Sequence, residues 1–323
     1  MGKRRVKTVD VHCHVDIPEI QQLLKGTKLE GRAIGNGGYD TYVGPARFQA
    51  MDAMGIDVQA VSINSFWYGE NKEFASRIVD FQNEKLSAIC AAHPDRLVAF
   101  ASVALQFPEL AAQQLEVGMK KWGLRGAAIS TNCEGEDLSA PKYEPFWAKA
   151  QELDALVFVH PGGGGSSAAA LRKRLQGNGL LGNVIGNPLD TSIFLSHMIF
   201  DGTLDKFPNL KICAAHAGGY LASYPDRMDN GCRVFPPQCK GTIKKHPSEY
   251  IRDIYVDTII FSQEGLRHLV ADVGASHVGL GTDYPYPWAT TPVDHVMAAT
   301  ELSDADKIAI LGGTMCKLLK IPT

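Results

Sequence analysis

His12 and His14 stand two residues apart in the apolar run Val9-Asp10-Val11-His12-Cys13-His14-Val15. In an extended strand, residues i and i+2 share a face, so both imidazoles project into one space. His160 closes the run Leu156-Val157-Phe158-Val159-His160, His216 closes Ile212-Cys213-Ala214-Ala215-His216, and Asp283 ends Gly281-Thr282-Asp283. Neutral imidazoles and a carboxylate are ligands for a borderline divalent ion such as zinc, at about 2.0–2.2 Å. Such an ion lowers the pKa of an adjacent water from about 15.7 towards 7, which makes hydroxide available at neutral pH. A histidine beside it can move protons. An HxH pair is a weak signal, and a single strand-end histidine is more often a packing residue. Four histidines and an aspartate, each ending an apolar run, form a set that chance seldom assembles.

For these residues to meet, the elements carrying them must converge. Apolar runs at Val6–Val15, Val58–Asn64, Leu97–Leu105, Gly126–Asn132, Leu156–His160, Leu210–His216, Ile254–Ile259 and Val278–Asp283 read as strands buried on both faces. Between them, helical spacing marks Pro45–Gly55, Asn71–Ala92, Pro108–Trp122, Pro141–Leu153, Pro188–Phe207 and Ser262–Val273. Several open on proline, whose missing N–H costs nothing in a first turn. A last helix, Ser303–Leu319, opens on a capping serine. Eight strands alternating with helices predict a (β/α)8 TIM barrel, a single domain over residues 1–323, with an open doubly wound sheet as the alternative. The strand-end residues then gather at the C-terminal face, where barrel enzymes hold their active sites. Ile17–Gly44 reads as a loop insertion over the barrel mouth, and Asn230–Lys245 looks similar.

Composition narrows the function classes. The 323 residues are 45% apolar and 21% charged, with a net charge of −3. That balance gives no footprint for nucleic acid or an anionic membrane. The basic cluster Lys3-Arg4-Arg5-Lys7 reads as a solvated tail, and no apolar run approaches the ~20 residues of a membrane span. Seven scattered cysteines without a CxxC pair fit a reducing compartment and a cytoplasmic protein.

Some residues leave two readings open. Asp10 faces the same way as His12, and it either orients a ligand or closes the barrel interior. Gly162–Gly165 lacks the ending of a P-loop, and reads as a loop giving clearance beside the site. His93, His197, His246, His268, His277 and His295 read as surface or packing residues.

The set His12-x-His14, Val159-His160-Pro161, His216-Ala217-Gly218-Gly219 and Gly281-Thr282-Asp283-Tyr284-Pro285 resembles the amidohydrolase superfamily. Within it the resemblance is to the branch of aminocarboxymuconate semialdehyde decarboxylase, and it runs nearly the whole chain. Arg47-Phe48-Gln49-Ala50-Met51-Asp52 and Phe207-Pro208-Asn209-Leu210-Lys211 extend it. The resemblance implies one divalent ion, usually zinc and in some members manganese, held by His12, His14, His160 and Asp283. It implies His216 as general acid/base, Arg47 on the substrate carboxylate, and Arg227 supplied by the neighbouring subunit of a homodimer. The fourth strand has no lysine of the kind that bridges two metals in binuclear relatives, which supports a mononuclear site. Gly162 replaces the tryptophan that follows His-Pro in the decarboxylase, which implies a more open pocket. The expected activity is metal-dependent decarboxylation of an unsaturated or aromatic carboxylic acid in aromatic-compound catabolism. The alternative is a metal-dependent hydrolase or hydratase, including a C–C hydrolase, acting on a ring-cleavage product. A metal-stabilised binding protein is the reading from a different class. Labelled water separates the two enzymatic readings, because hydrolysis puts its oxygen into product.

Overall fold

The structure is a computed structural model that describes residues 6–32, 39–162, 173–239 and 241–323. Its eight barrel strands are β1 (Val9–His14), β2 (Val58–Ser62), β3 (Leu97–Ala99), β4 (Ala127–Ser130), β5 (Leu156–His160), β6 (Lys211–Ala214), β7 (Tyr255–Asp257) and β8 (Val278–Gly279). Each sits within a predicted run, usually trimmed by a few residues. β1, β2 and β3 pair in parallel, as do β4 through β8 in order.

Backbone hydrogen bonds close both seams between these sheets. Ala101 N donates to Gly126 O (2.8 Å) and Ala128 N to Ala101 O (3.0 Å), joining β3 to β4. Val11 N donates to Leu280 O and Asp283 N to His12 O, both at 2.8 Å, joining the last strand to the first. The result is the expected (β/α)8 barrel, and closure leaves no free edge. Phe158 stacks on Phe100 (ring centroids 5.6 Å) inside it and supports the His12 ring from below (5.1 Å). Both phenylalanines are buried.

The helices start and stop where side-chain chemistry directs. α1 (Pro45–Met54) opens on proline and ends at Gly55, whose φ of 74° suits a residue without Cβ. α2 (Lys72–Ala92) is capped by the Asn71 side chain, which accepts from Phe74 N. α3 (Pro108–Lys120) and α4 (Glu144–Glu152) follow β3 and β4, and α5 (Gly186–Phe200) precedes β6. α6 (Pro225–Val234) occupies the start of the segment expected as an insertion at Asn230–Lys245, a correction to that boundary. α7 (Gln263–Val273) lies between β7 and β8. The predicted last helix divides into Asp304–Ile308, a π-turn at Ala309–Gly313 and Thr314–Leu318.

Two other expectations change. Cys232 and Cys239, seven residues apart with Cα atoms 5.4 Å from each other, form a disulfide across the end of α6. The other five cysteines are free thiols, four of them buried. The insertion after β1 carries short helical turns at Pro18–Ile20 and Gln21–Leu24. The basic tail up to Arg5 and Gly163–Gly165 lie outside the described residues.

Candidate metal centre

His12, His14, His160 and Asp283 come together at the C-terminal mouth of the barrel, with one donor atom from each lying within 4.8 Å of all the others. β1 supplies two of them because its alternation puts His12 and His14 on the inward face. Their rings stand edge to face at 5.2 Å, and His160 lies 5.0 Å from His12 and 4.6 Å from His14. Asp283 Oδ1 is 2.9 Å from His14 Nε2 and 3.3 Å from His12 Nε2. His216 stands beside this set, its Nε2 at 4.0 Å from Asp283 Oδ2.

Backbone strain aims two of the five residues. His216 and Asp283 have φ of 56° and 61°, left-handed values that cost a residue with a Cβ. His216 lies two residues beyond the end of β6 and Asp283 four beyond the end of β8.

The residue that sequence reasoning missed is Asp257, at the end of β7 and fully buried. One oxygen accepts from His12 Nδ1 (2.6 Å) and His216 N (2.9 Å), the other from Ala217 N (2.8 Å) and Ile259 N (2.9 Å). It fixes the His12 tautomer, leaving Nε2 free to ligate, and also anchors the turn that carries His216. The available signal was weaker than the one that marked Asp283, since Asp257 lies inside the apolar run Ile254–Ile259 and does not close it. Gly281 makes room for it, because a Cβ there would come within 2.8 Å of the Asp257 Cβ.

Asp10 resolves to the interior of the barrel. Its carboxylate accepts from Thr282 N and Oγ1, Gln59 Nε2 and the backbone N of His12. It holds the Thr282–Asp283 backbone against β1 and touches no ligand side chain. Arg47 is held by the carbonyls around it. Its guanidinium is 1% exposed, lies 4.7 Å over the Tyr284 ring, and donates to Thr41 O, Tyr42 O, Gln59 Oε1 and His14 O. Those bonds tie the insertion to β1 at His14. Arg227 lies on the exposed side of α6, outside the cluster. Of the remaining histidines, His197 and His268 pair with surface aspartates and none joins the centre.

The electrostatics favour a cation. Burial alone would lower the His12 pKa, but Asp283 and Asp257 outweigh it and push it up to about 10. Burial, then the neighbouring imidazoles, hold His160 well below its ordinary value. Burial and His12 bring His216 down to about 4, so its neutral form prevails at neutral pH. Imidazole nitrogens of His12, His14, His160 and His216 are buried without hydrogen-bond partners. Three imidazoles and a carboxylate around a point that already attracts positive charge fit one divalent ion.

A cavity of about 400 Å³ opens beside His160, bounded by the ends of β2, β4 and β5 and by Lys28 and Arg32 of the insertion. No helix among the described residues is long and apolar enough to cross a membrane.

Comparison with known proteins identifies the fold and the family. The chain is 29% identical over 276 residues to a 2-amino-3-carboxymuconate-6-semialdehyde decarboxylase of Dictyostelium discoideum, covering 84% of this chain and 75% of that protein. It is 26% identical over 292 residues to a gamma-resorcylate decarboxylase of Rhizobium radiobacter, covering 85% and 86%. Among solved structures, a 5-carboxyvanillate decarboxylase from Sphingomonas paucimobilis superposes with a TM-score of 0.86 at 21% identity, covering 98% of this chain and 100% of that one. A dihydroxybenzoic acid decarboxylase from Polaromonas sp., solved with bound manganese, superposes at 0.82 with 22% identity, covering 98% of each. The amidohydrolase family model matches residues 9–321, and the chain belongs to that family.

Proposed function

We propose that the protein is a metal-dependent decarboxylase of an aromatic or unsaturated carboxylic acid. The observation that carries this reading is the His12, His14, His160 and Asp283 cluster at the mouth of the barrel, with His216 beside it and an open cavity adjoining. The curated relatives named above, both decarboxylases, support the same reaction class. One divalent ion suits the four ligands; zinc fits three imidazoles and a carboxylate, and manganese is the alternative.

The bound ion would supply Lewis acidity that anchors the substrate and stabilises negative charge on its oxygens. The chain's own residues do the rest. Asp257 holds the His12 ring and the His216 backbone in place. His216 moves the proton. Neutral at pH 7, it would relay a proton from water to the ring carbon bearing the carboxylate. The carbon–carbon bond then breaks, carbon dioxide leaves, and the bond's electron pair restores the ring. Water contributes a hydrogen to the product and no oxygen.

The reading extends to assembly and compartment. Tyr220, Tyr224, Val234 and Phe235 expose apolar surface on and near α6, beside Arg227. A homodimer packed through this face would carry Arg227 into the partner's pocket, where a guanidinium suits a carboxylate. The five free thiols fit a cytoplasmic setting, and the disulfide across α6 is the feature that does not.

The test is elemental analysis of protein purified without chelators, beside a His12→Ala/His14→Ala variant, followed by carbon dioxide release from carboxylated aromatic acids in labelled water. About one zinc or manganese per chain, lost in the variant, with solvent hydrogen and no solvent oxygen in the product, is the expected result. Labelled oxygen in the product would replace this reading with hydrolysis.

A further inference from the structure

One cysteine pair stands apart from the rest. Cys232 and Cys239 are joined across a separation of seven residues, and both are half-buried. The five remaining cysteines are free. Burial pushes the Cys90 and Cys133 thiols up to about 12, raises Cys316, and holds Cys13 and Cys213 well above the ordinary thiol range. Those thiols keep their protons near neutral pH, so they neither attack the disulfide nor exchange with a small reductant. The pair at the end of α6 is therefore the part of the thiol set that redox chemistry from solvent reaches.

The bond closes over a segment with little else to hold it. No residue of α6 is fully buried. The first two turns are tied down. Met228 packs half-buried against the core, and the Asp229 carboxylate accepts from Ser248 N (2.9 Å) and Ser248 Oγ (2.7 Å). Among the described residues, the last turn bonds outside the helix through the disulfide and through no other side chain. Arg233 donates to Asn230 Oδ1 of the same helix, and Val234 and Phe235 are exposed. Beyond it, Pro236–Gln238 forms a single 3-10 turn, closed by Gln238 N to Phe235 O (3.0 Å) and Cys239 N to Pro236 O (3.1 Å). Solvent-exposed terminal turns with few packed contacts open readily, and a crosslink across them removes the open states.

We propose that Cys232 and Cys239 form a reversible redox latch. Closed, it fixes the last turn of α6 and the exposed apolar residues Val234 and Phe235. Open, it frees them while the barrel stays folded. Disulfides in a reducing compartment are usually transient or redox-sensing, and accessible ones are the labile ones. The inference does not depend on the decarboxylase reading. Opening takes two molecules of glutathione. The thiolate of the first attacks one sulfur of the pair and displaces the other as a thiolate, which takes up a proton. The second attacks the mixed disulfide, leaving two cysteine thiols and glutathione disulfide, so the two electrons come from glutathione. Glutathione disulfide drives the reverse. The experiment holds the full-length, metal-loaded protein under native conditions in millimolar glutathione or in glutathione disulfide. Alkylation with mass spectrometry locates the free thiols, and hydrogen exchange is followed at the amides of Phe235, Gln238 and Cys239. Reduction is expected to free Cys232 and Cys239 and to speed exchange at those amides by about tenfold or more, with the barrel strands unchanged. Glutathione disulfide should restore both readings. Cys232→Ser, and Cys239→Ser as a second variant, should exchange at the fast rate in either buffer. A wild type that keeps all seven thiols free in glutathione disulfide overturns the inference. So does a bond that glutathione opens only when the whole chain melts, which would make it a fixed staple, and so does an exchange rate that is the same in both redox states.

Discussion

Replacing Asp257 with asparagine should weaken metal binding without touching a ligand. Each carboxylate oxygen of Asp257 accepts two N–H donors, His12 Nδ1 and His216 N on one, Ala217 N and Ile259 N on the other. An asparagine puts an NH₂ group where one of those oxygens was, whichever way the amide turns. Two buried donors then lose their acceptor, at roughly 1–3 kcal/mol each, so folding stability should drop by about 2–6 kcal/mol. If the NH₂ faces His12, the imidazole loses the bond that keeps its Nδ1 protonated and its Nε2 free. Loss of such an outer partner lowers metal affinity by about 10–100-fold. The assay is competition with a chromophoric chelator at pH 7, paired with thermal melting of the metal-free protein. A variant with wild-type affinity for zinc and manganese would refute the claim that Asp257 sets the His12 tautomer, even if the protein melts lower.

Other outcomes follow from the same geometry. His216→Asn should keep one metal per chain, since His216 stands outside the four ligands, while kcat falls about 10²–10⁴-fold; loss of the metal would show that His216 is a ligand. If Arg227 acts across a dimer, Arg227→Ala and His216→Asn should each be inactive alone, yet regain activity when mixed subunits re-form dimers. One site in each mixed dimer then has both groups intact, and an inactive mixture would place Arg227 elsewhere. Arg47→Ala should cost about 3–5 kcal/mol of stability, because it strips partners from Gln59 and three backbone carbonyls; unchanged melting with a raised KM would restore it to the substrate. Acid should destabilise the fold. The folded pKa of His216 lies at about 4, and burial also lowers His14 and His160. For histidines depressed in the folded state the unfolded chain binds more protons, so stability is present above about 6.5 and is lost as pH falls through about 4. Melting curves and metal content across that range test the sign.

The barrel and the convergence of His12, His14, His160, His216 and Asp283 were legible in the sequence because both rest on local patterns, while the choice of four among them as ligands came from the family resemblance. Parallel strands buried on two faces read as continuous apolar runs, and a ligand at a strand end reads as a polar residue closing one. What escaped was set by contacts far apart in the chain. Asp257 lies inside the apolar run Ile254–Ile259, and its partner His12 lies 245 residues away. Arg47 matched a family motif, while its donors went to carbonyls of the insertion and of β1 that no spacing rule reveals. The fate of Asp10 depended on Thr282, which only barrel closure brings to it. The Cys232–Cys239 pair depended on a turn at the end of α6 that the segment's composition did not disclose.

Closure of the barrel has a consequence for how the ion is acquired. Asp283 meets His14 across 269 residues of chain, and the seam that joins them is the last to be completed during synthesis. At about 5–20 residues per second, the ribosome delivers the aspartate roughly 13–54 s after the first histidines. Until then His12 and His14 are two unclaimed imidazoles that a borderline divalent ion can visit but that cannot hold it tightly. The centre therefore works as a clasp, engaging only when the first and last strands meet, so that ion retention reports a finished chain and a truncated one lets its metal go.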